Sequence, residues 1–257
     1  LARRVADLSG SDKAQALAPY FANDEVGELA ATLDDYSGRM TQLVKRDREF
    51  NADVSHELRT PLAVIRGATE LLLANPDLPE KTKLRLQRID RAALQCTDLT
   101  TALLMLSRNE RGVGNTDIHK LANNLAEANR AQMTNKPVKV LVDGLNDVFV
   151  NAPEAVLSVA LGNLIGNACK YTQEGEVRII VETGRVIIQD TGPGLSEEDA
   201  ARLFERGYRG SGIGVTTGGG IGLSIVRRLC DLYEWKVSIK PREESGAEAC
   251  LVFDGVK

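Results

Sequence analysis

Glycine is distributed unevenly along this chain, and that asymmetry limits its possible folds more than any other feature. Of 23 glycines in 257 residues, only Gly10, Gly27, Gly38 and Gly67 precede residue 112. The first part is instead long stretches rich in Ala, Leu, Arg and Glu, which favour helix. Behind residue 112, glycines are frequent and short β-branched runs appear, the texture of turns and strands. Two kinds of structure are therefore expected, and at roughly 150 residues per domain the length allows about two domains. The segment Asn109-Glu110-Arg111-Gly112-Val113-Gly114-Asn115 reads as the linker between them.

In the first part, Val26, Leu29, Leu33, Tyr36, Met40 and Leu43 recur at spacings of three and four, the seam of a coiled coil. Phe50, Val54, Leu58 and Leu62 continue at a spacing of four, followed by Ile65, Thr69 and Leu72, which implies a shift of the seam near Asp47. Asn75-Pro76-Asp77-Leu78-Pro79 ends the helix. A second helix starts near Glu80 and carries Leu86, Ile89, Ala93, Cys96, Thr100 and Leu103 on one stripe. A hairpin with so wide an apolar stripe is expected to dimerise into a four-helix bundle.

The second part alternates. Helices are expected near 117–132, 153–171 and 221–232, and strands near 138–142, 148–150, 177–182, 185–189, 236–240 and 249–253. Hairpin links among interspersed helices point to an α/β sandwich with a mixed sheet, not a doubly wound parallel one.

Composition excludes some functions. The net charge is −4, and only 4% of residues are aromatic, so a nucleic-acid surface of basic and stacking groups is not expected. The apolar runs at 71–74 and 102–106 fall far short of the roughly 20 residues of a membrane span. The chain opens at Leu1 without a signal-peptide pattern, and reads as a piece of something longer. Cys96, Cys169, Cys230 and Cys250 are widely spaced in apolar contexts, which suggests buried, reduced thiols.

The sharpest local signal is Ser55-His56-Glu57-Leu58-Arg59-Thr60-Pro61-Leu62. At 100° per residue, Val54 and Leu58 each lie 200° from His56, so the imidazole points away from the seam. Thr60 stands one turn further on the same face. A carboxylate that takes the proton from one ring nitrogen makes the other a better nucleophile. Pro61 removes the N–H that would bond the carbonyl of Glu57, so a kink is expected there. An HExxH zinc site is excluded, since Thr60 stands at the fourth position. A lone exposed histidine on a helix commonly has no role, and that alternative stands.

Three further patterns suit a nucleotide. Asn163, Asn167 and Lys170 share one stripe of a helix whose opposite side is Leu161, Ile165 and Ala168. Amide oxygens suit a hard cation and Lys170 a phosphate, although a solvated polar face fits equally well. Asp190-Thr191-Gly192-Pro193-Gly194 follows a strand; the carboxylate can accept from an exocyclic amine, or the stretch is only a tight turn. Gly218-Gly219-Gly220-Ile221-Gly222-Leu223-Ser224 precedes a helix, whose first N–H groups attract phosphate, or it is a flexible loop. Between the last two, Arg206 and Arg209 stand on a glycine-bounded segment that reads as a mobile lid or as a plain surface loop.

The order of these motifs resembles the sensor histidine kinases of two-component systems, over nearly the whole chain. The match along Phe50–Leu62 is to the phosphoacceptor box, and Asp24–Leu29 looks like the second half of a HAMP linker. The resemblance implies a partial HAMP-like region at 1–45 and a dimerisation and histidine phosphotransfer domain at 46–108. A linker at 109–116 and a Bergerat-type catalytic ATP-binding domain at 117–257 follow. It implies His56 as phosphoacceptor, Glu57 as its base, and Thr60 as the holder of water in a phosphatase reaction. Asn167 would ligate Mg²⁺ with Asn163 alongside, and Lys170 and Tyr171 would approach the nucleotide. Asp190 would take the adenine amine in a pocket shaped by Gly192 and Gly194. Gly220, Gly222 and Leu223 would flank the phosphates, with Arg206 and Arg209 acting from the lid. ATP, Mg²⁺, a second copy of the chain and a response-regulator receiver domain are the implied cofactors and partners. The implied setting is the cytoplasmic portion of an inner-membrane protein whose anchor lies upstream. The family often has an aromatic where Gly207 stands. Two rival readings remain at this point: an ATPase of the same superfamily, which leaves the His56 box idle, and a dimerising scaffold, which leaves Asp190 and the glycines idle.

Overall fold

The computed structural model describes residues 16–22, 24–131, 133, 136–205, 222–243 and 245–253. Arg206, Gly207, Arg209 and Gly220 lie outside the described residues. The chain divides into two compact units, 1–54 and 55–257.

In the first unit a 3₁₀ turn, Ala18–Tyr20, precedes helix α1, Glu25–Leu73, which continues into the second unit. The two Asp34 carboxylate oxygens accept from the N–H groups of Leu17 and Ala18 at 2.8 Å each. Asp24 starts α1 by accepting from the N–H groups of Val26 and Gly27, and Glu25 and Glu28 complement the helix dipole. The expected seam is open to solvent: Val26, Leu29, Tyr36, Met40 and Leu43 are each between 42% and 55% exposed.

The second unit begins at Ser55. Pro61 sits inside α1 without ending it. The chain turns through 74–79, where the Asn75 side chain accepts from the N–H of Asp77, and α2 runs Glu80–Arg108. Asp90 joins the two helices, taking bonds from Arg66 at 3.4 Å and Thr69 at 3.5 Å. Asn109 closes α2 in the left-handed conformation, φ 55°, which asparagine tolerates better than most residues.

The rest of this unit is a two-layer α/β sandwich, as the sequence led one to expect. Its elements are β1 (Thr116–Asp117), α3 (Ile118–Arg130), β2 (Val138–Gly144), β3 (Phe149–Val150) and α4 (Glu154–Tyr171). There follow β4 (Gly175–Glu182), β5 (Arg185–Asp190), α5 (Glu197–Arg202), α6 (Gly222–Tyr233), β6 (Lys236–Pro241) and β7 (Ala247–Val252). The five-stranded sheet has the order β2-β4-β5-β7-β6, with β2 parallel to β4 and the other pairs antiparallel. Alternation sends Val177, Ile179 and Val181 of β4 and Val186 and Ile188 of β5 inward, all at 1% exposure or less. They belong to one core with Leu157, Leu161, Leu164 and Ile165 of α4 and Val226 and Leu229 of α6. Each such side chain fully buried contributes roughly 1.5–3 kcal/mol.

Several features differ from the sequence reading. Strands β1 and β3 pair as a separate two-stranded ribbon, too short to show a period. Helix α5 was not expected, although Ser196 caps it by accepting from the N–H of Asp199, and Ser followed three residues later by Asp is a readable start signal. The four cysteines are free but not all buried: Cys96 is exposed and Cys250 half-buried, because α2 and the outer face of the sheet are only partly covered. Burial pushes the thiols of Cys169 and Cys230 up to about 11 and about 12.

Helix α2 also has a second apolar face that the seam concealed. Ala102 is wholly buried in the sandwich core, and Leu99, Met105 and Leu106 pack against it. Arg91 donates to the carbonyl of Ala128 at 2.7 Å. Asp98 is hydrogen-bonded to Ser158, and burial raises its carboxyl above the ordinary range. The linker is likewise attached. The N–H of Gly112 donates to the Tyr233 hydroxyl at 2.9 Å, and Arg111 bonds the carbonyl of Leu232 and pairs with Glu234 at 2.6 Å.

Candidate functional site

Helix α4 is built to present a polar edge over a buried one. Leu161 and Ile165 are fully buried and Ala168 nearly so, which fixes the rotation of the helix. Asn167 and Tyr171, one turn apart, then line a pocket of about 100 Å³. Its floor is Ile188 and Asp190 of β5, its far wall Pro193, Gly194, Leu195 and Leu203, and its remaining sides Leu223, Ile239, Ala247 and Ala249. The lining is apolar apart from a few polar groups, as a flat heterocycle requires. A larger void of about 570 Å³ lies between α2, α3 and α4, lined by Asp90, Arg91, Asp98, Glu127 and Glu154, and none of the expected nucleotide residues lines it.

Asp190 is the polar group at the floor. It ends β5, is 9% exposed, and its Oδ1 accepts from the N–H groups of Gly192 at 2.8 Å and Ala247 at 3.3 Å. Burial raises its carboxyl above the ordinary range, and these two bonds and the nearby Arg242 act against that rise.

The expected nucleotide residues are therefore only partly gathered in one place. Asn167, Tyr171, Asp190, Gly194 and Leu223 line the pocket, and Gly192 holds Asp190. Asn163 is bonded to the carbonyl of Val159 and lies against Gly222, where a Cβ would fall 2.0 Å from its Oδ1. These two residues thus join α4 to the start of α6 and do not line the pocket. Lys170 lies outside the lining, with its ammonium 5.2 Å from the centroid of the Tyr171 ring.

Two participants escaped the sequence reading. Lys136 donates to the carbonyls of Lys170 and Thr172 at 3.0 and 3.2 Å and so closes the C-terminus of α4 beside Tyr171. Its separation of more than thirty residues left no local signal. Arg242 is the other, and bonds the backbone of Asp190.

His56, Glu57 and Thr60 are all exposed on α1, and none of the pocket's lining comes from that helix. The imidazole is open to solvent with a carboxylate at the next position, and Val54 and Leu58 of the expected seam are exposed as well.

Comparison with known proteins fits this division. The family described as "His Kinase A (phospho-acceptor) domain" matches residues 46–112. That described as "Histidine kinase-, DNA gyrase B-, and HSP90-like ATPase" matches residues 153–256. The Sensor protein QseC of Salmonella typhi is 32% identical over 235 residues, covering 88% of this chain and 52% of that protein. The Sensor protein CutS of Streptomyces coelicolor is 30% identical, covering 96% of this chain and 62% of that protein. The chain thus spans between half and two thirds of the length of these relatives. The crystal structure of full-length ShkA in complex with AMPPNP superposes with a TM-score of 0.53 at 28% identity, over 80% of this chain and 45% of that one. An exposed helical histidine in a phospho-acceptor domain and an ATPase domain behind it on the same chain leave one assignment: this chain belongs to the sensor histidine kinases of bacterial two-component systems.

Proposed function

We propose that this chain is an ATP-dependent protein histidine autokinase, which transfers the γ-phosphoryl group of ATP to a ring nitrogen of His56. The observation that carries this reading is the pairing, within one chain, of an exposed His56–Glu57 dipeptide with a pocket whose floor is the buried Asp190. Adenine enters the apolar cleft and its amine donates to the Asp190 carboxylate. The bond from the γ-phosphorus to the ADP oxygen breaks as the bond to the imidazole nitrogen forms, and Glu57 takes the ring proton. Such transfers depend on in-line placement and charge neutralisation more than on covalent help.

Mg²⁺ fits the donors present. Among the described residues no group of three His, Cys, Asp or Glu side chains could hold a metal alone, so the ion would bind through the Asn167 amide oxygen and the phosphates. Bound there, it supplies positive charge to the transferring group. Lys170 adds charge at the helix end, and Arg206 and Arg209 would add theirs from the segment between α5 and α6.

The phosphoryl group would then pass to an aspartate on a response-regulator receiver domain. In a separate phosphatase reaction Thr60, one turn from His56, would hold a water in line with that phosphoaspartate, so that water takes the phosphoryl group and the aspartate leaves. The exposed seam residues favour a homodimer through α1 and α2. We assign 1–45 to a partial HAMP-like region, 46–108 to dimerisation and phosphotransfer, 109–116 to the linker and 117–257 to catalysis. No described helix is long and apolar enough to cross a membrane; membrane attachment through an upstream segment is part of the family reading.

The test is incubation with γ-labelled ATP and Mg²⁺. Acid-labile label that disappears in His56→Gln is expected; acid-stable label, or none, removes the kinase reading. Thr60→Ala is expected to keep autophosphorylation and slow dephosphorylation of the regulator by about 10²–10³. Equal loss of both rates would reduce Thr60 to a support for the helix.

A further inference from the structure

The turn between β6 and β7 touches the pocket floor from outside the motifs that identify the nucleotide site. Nη1 of Arg242 donates to the backbone carbonyl of Asp190 at 2.9 Å, and the Arg242 N–H donates to the carbonyl of Gly246 at 3.1 Å. Gly246 has φ +89°, and a Cβ there would fall 1.9 Å from that same Asp190 carbonyl oxygen. The next residue, Ala247, sends its N–H to Asp190 Oδ1. Arg242 thus joins the end of β5 to the turn, and the turn supplies one of the two donors that orient the carboxylate. Both donors, Gly192 and Ala247, bind Oδ1, which leaves Oδ2 for a donor in the cleft.

Resting on the reading of Asp190 as the adenine acceptor, we propose that Arg242 is a positioning residue for base recognition, acting through the β6–β7 turn to aim the Asp190 carboxylate. The guanidinium never meets the nucleotide in this scheme. It fixes the carbonyl of Asp190, keeps Gly246 close against it, and so keeps Ala247 within reach of Oδ1. Its charge also opposes the cost of burying the carboxylate, alongside those two backbone donors, while Cys169 and Tyr171 face the same carboxylate from α4.

The probes are ATP and inosine triphosphate, which lacks the exocyclic amine, titrated calorimetrically into the full chain. The unaltered chain is expected to prefer ATP. Arg242→Ala is expected to weaken ATP by about tenfold and inosine triphosphate little, so that the preference collapses. Arg242→Lys, which can still donate to the carbonyl, should restore most of it. In an Asp190→Asn background, Arg242→Ala should add almost nothing, since both changes act on one bond. Equal weakening of the two nucleotides, or a full additional loss in the Asp190→Asn background, overturns the role of Arg242 while leaving Asp190 in place. Equal affinity of the unaltered chain for both nucleotides overturns the Asp190 assignment and this inference together. Arg242→Met keeps the aliphatic stem without donors and is read by the same criteria where Arg242→Ala does not fold.

Discussion

The helical hairpin and the sheet domain use the same apolar residues to opposite ends. In the sheet domain, Leu161 and Ile179 are sealed from water within a single chain. In the hairpin, Ile65 is 42% exposed, Leu72 52% and Ile89 46%. One region closes its core within the chain, with Ala102 of α2 as part of it, and the other presents a seam left open to solvent. Helix α2 takes part in both, with Ile89 and Leu103 on the open side and Ala102 in the closed core.

That contrast can be broken by four measurements. Leu161→Ala should cost the sheet domain about 3 kcal/mol in chemical denaturation, within the usual range for a buried leucine. A loss no larger than that of the exposed Leu43→Ala would erase the distinction. Asn167→Ala changes the polar edge of the same helix. It should lower autophosphorylation about 100-fold through the lost ligand, with dimerisation intact by sedimentation. Near-normal activity would remove Asn167 from the metal site. Ile65→Lys should weaken the dimer about tenfold or more while ATP binding persists, because the charge falls on the open seam and not in the closed core. An unchanged dimer would place the interface elsewhere.

The smallest effect concerns pH. Burial raises the Asp98 carboxyl, so just above its ordinary value of 3.8 the folded chain holds a proton that the unfolded chain has lost. Stability at this site therefore falls as pH rises through that window, and the cost is fully present at neutral pH. Asp98→Asn keeps a partner for Ser158 and should raise the melting temperature at pH 7 by roughly 1–2 °C, the gain fading towards pH 4. A gain independent of pH would assign the effect to packing.

The sequence carried the periodic and punctuated features well. The break at 74–79, the buried side of α4 and the position of Asp190 at a strand end follow from spacing and from Pro and Gly placement, which are local. The exposure of His56 is legible for the same reason, and Val54 and Leu58 of the expected seam are exposed beside it. What escaped depends on long-range meeting. Lys136 closes a helix that ends thirty-five residues later, Arg242 reaches across to β5, and Ala102 joins a core made by α4 and α6. Asn163 shows the limit of a motif: its spacing from Asn167 was right, yet its amide bonds its own helix and packs on Gly222. The second face of α2 could have been found, since Leu99, Ala102, Met105 and Leu106 recur at helical spacing.

The attachment of Gly112 to Tyr233 sets the length of the leash between the two regions. From the helix cap at Asn109 to that anchor there are three peptide links, which span at most about 11 Å when fully extended. Arg111 is itself fastened to Leu232 and Glu234, while the N–H of Glu110 bonds back to the carbonyl of Met105 in α2 at 3.1 Å. On the proposed reaction, a swing of the sheet domain towards His56 would turn about Glu110 and would first uncover the Ala102–Leu106 face of α2, so that the sealed side of that helix would gate the reaction of the open one.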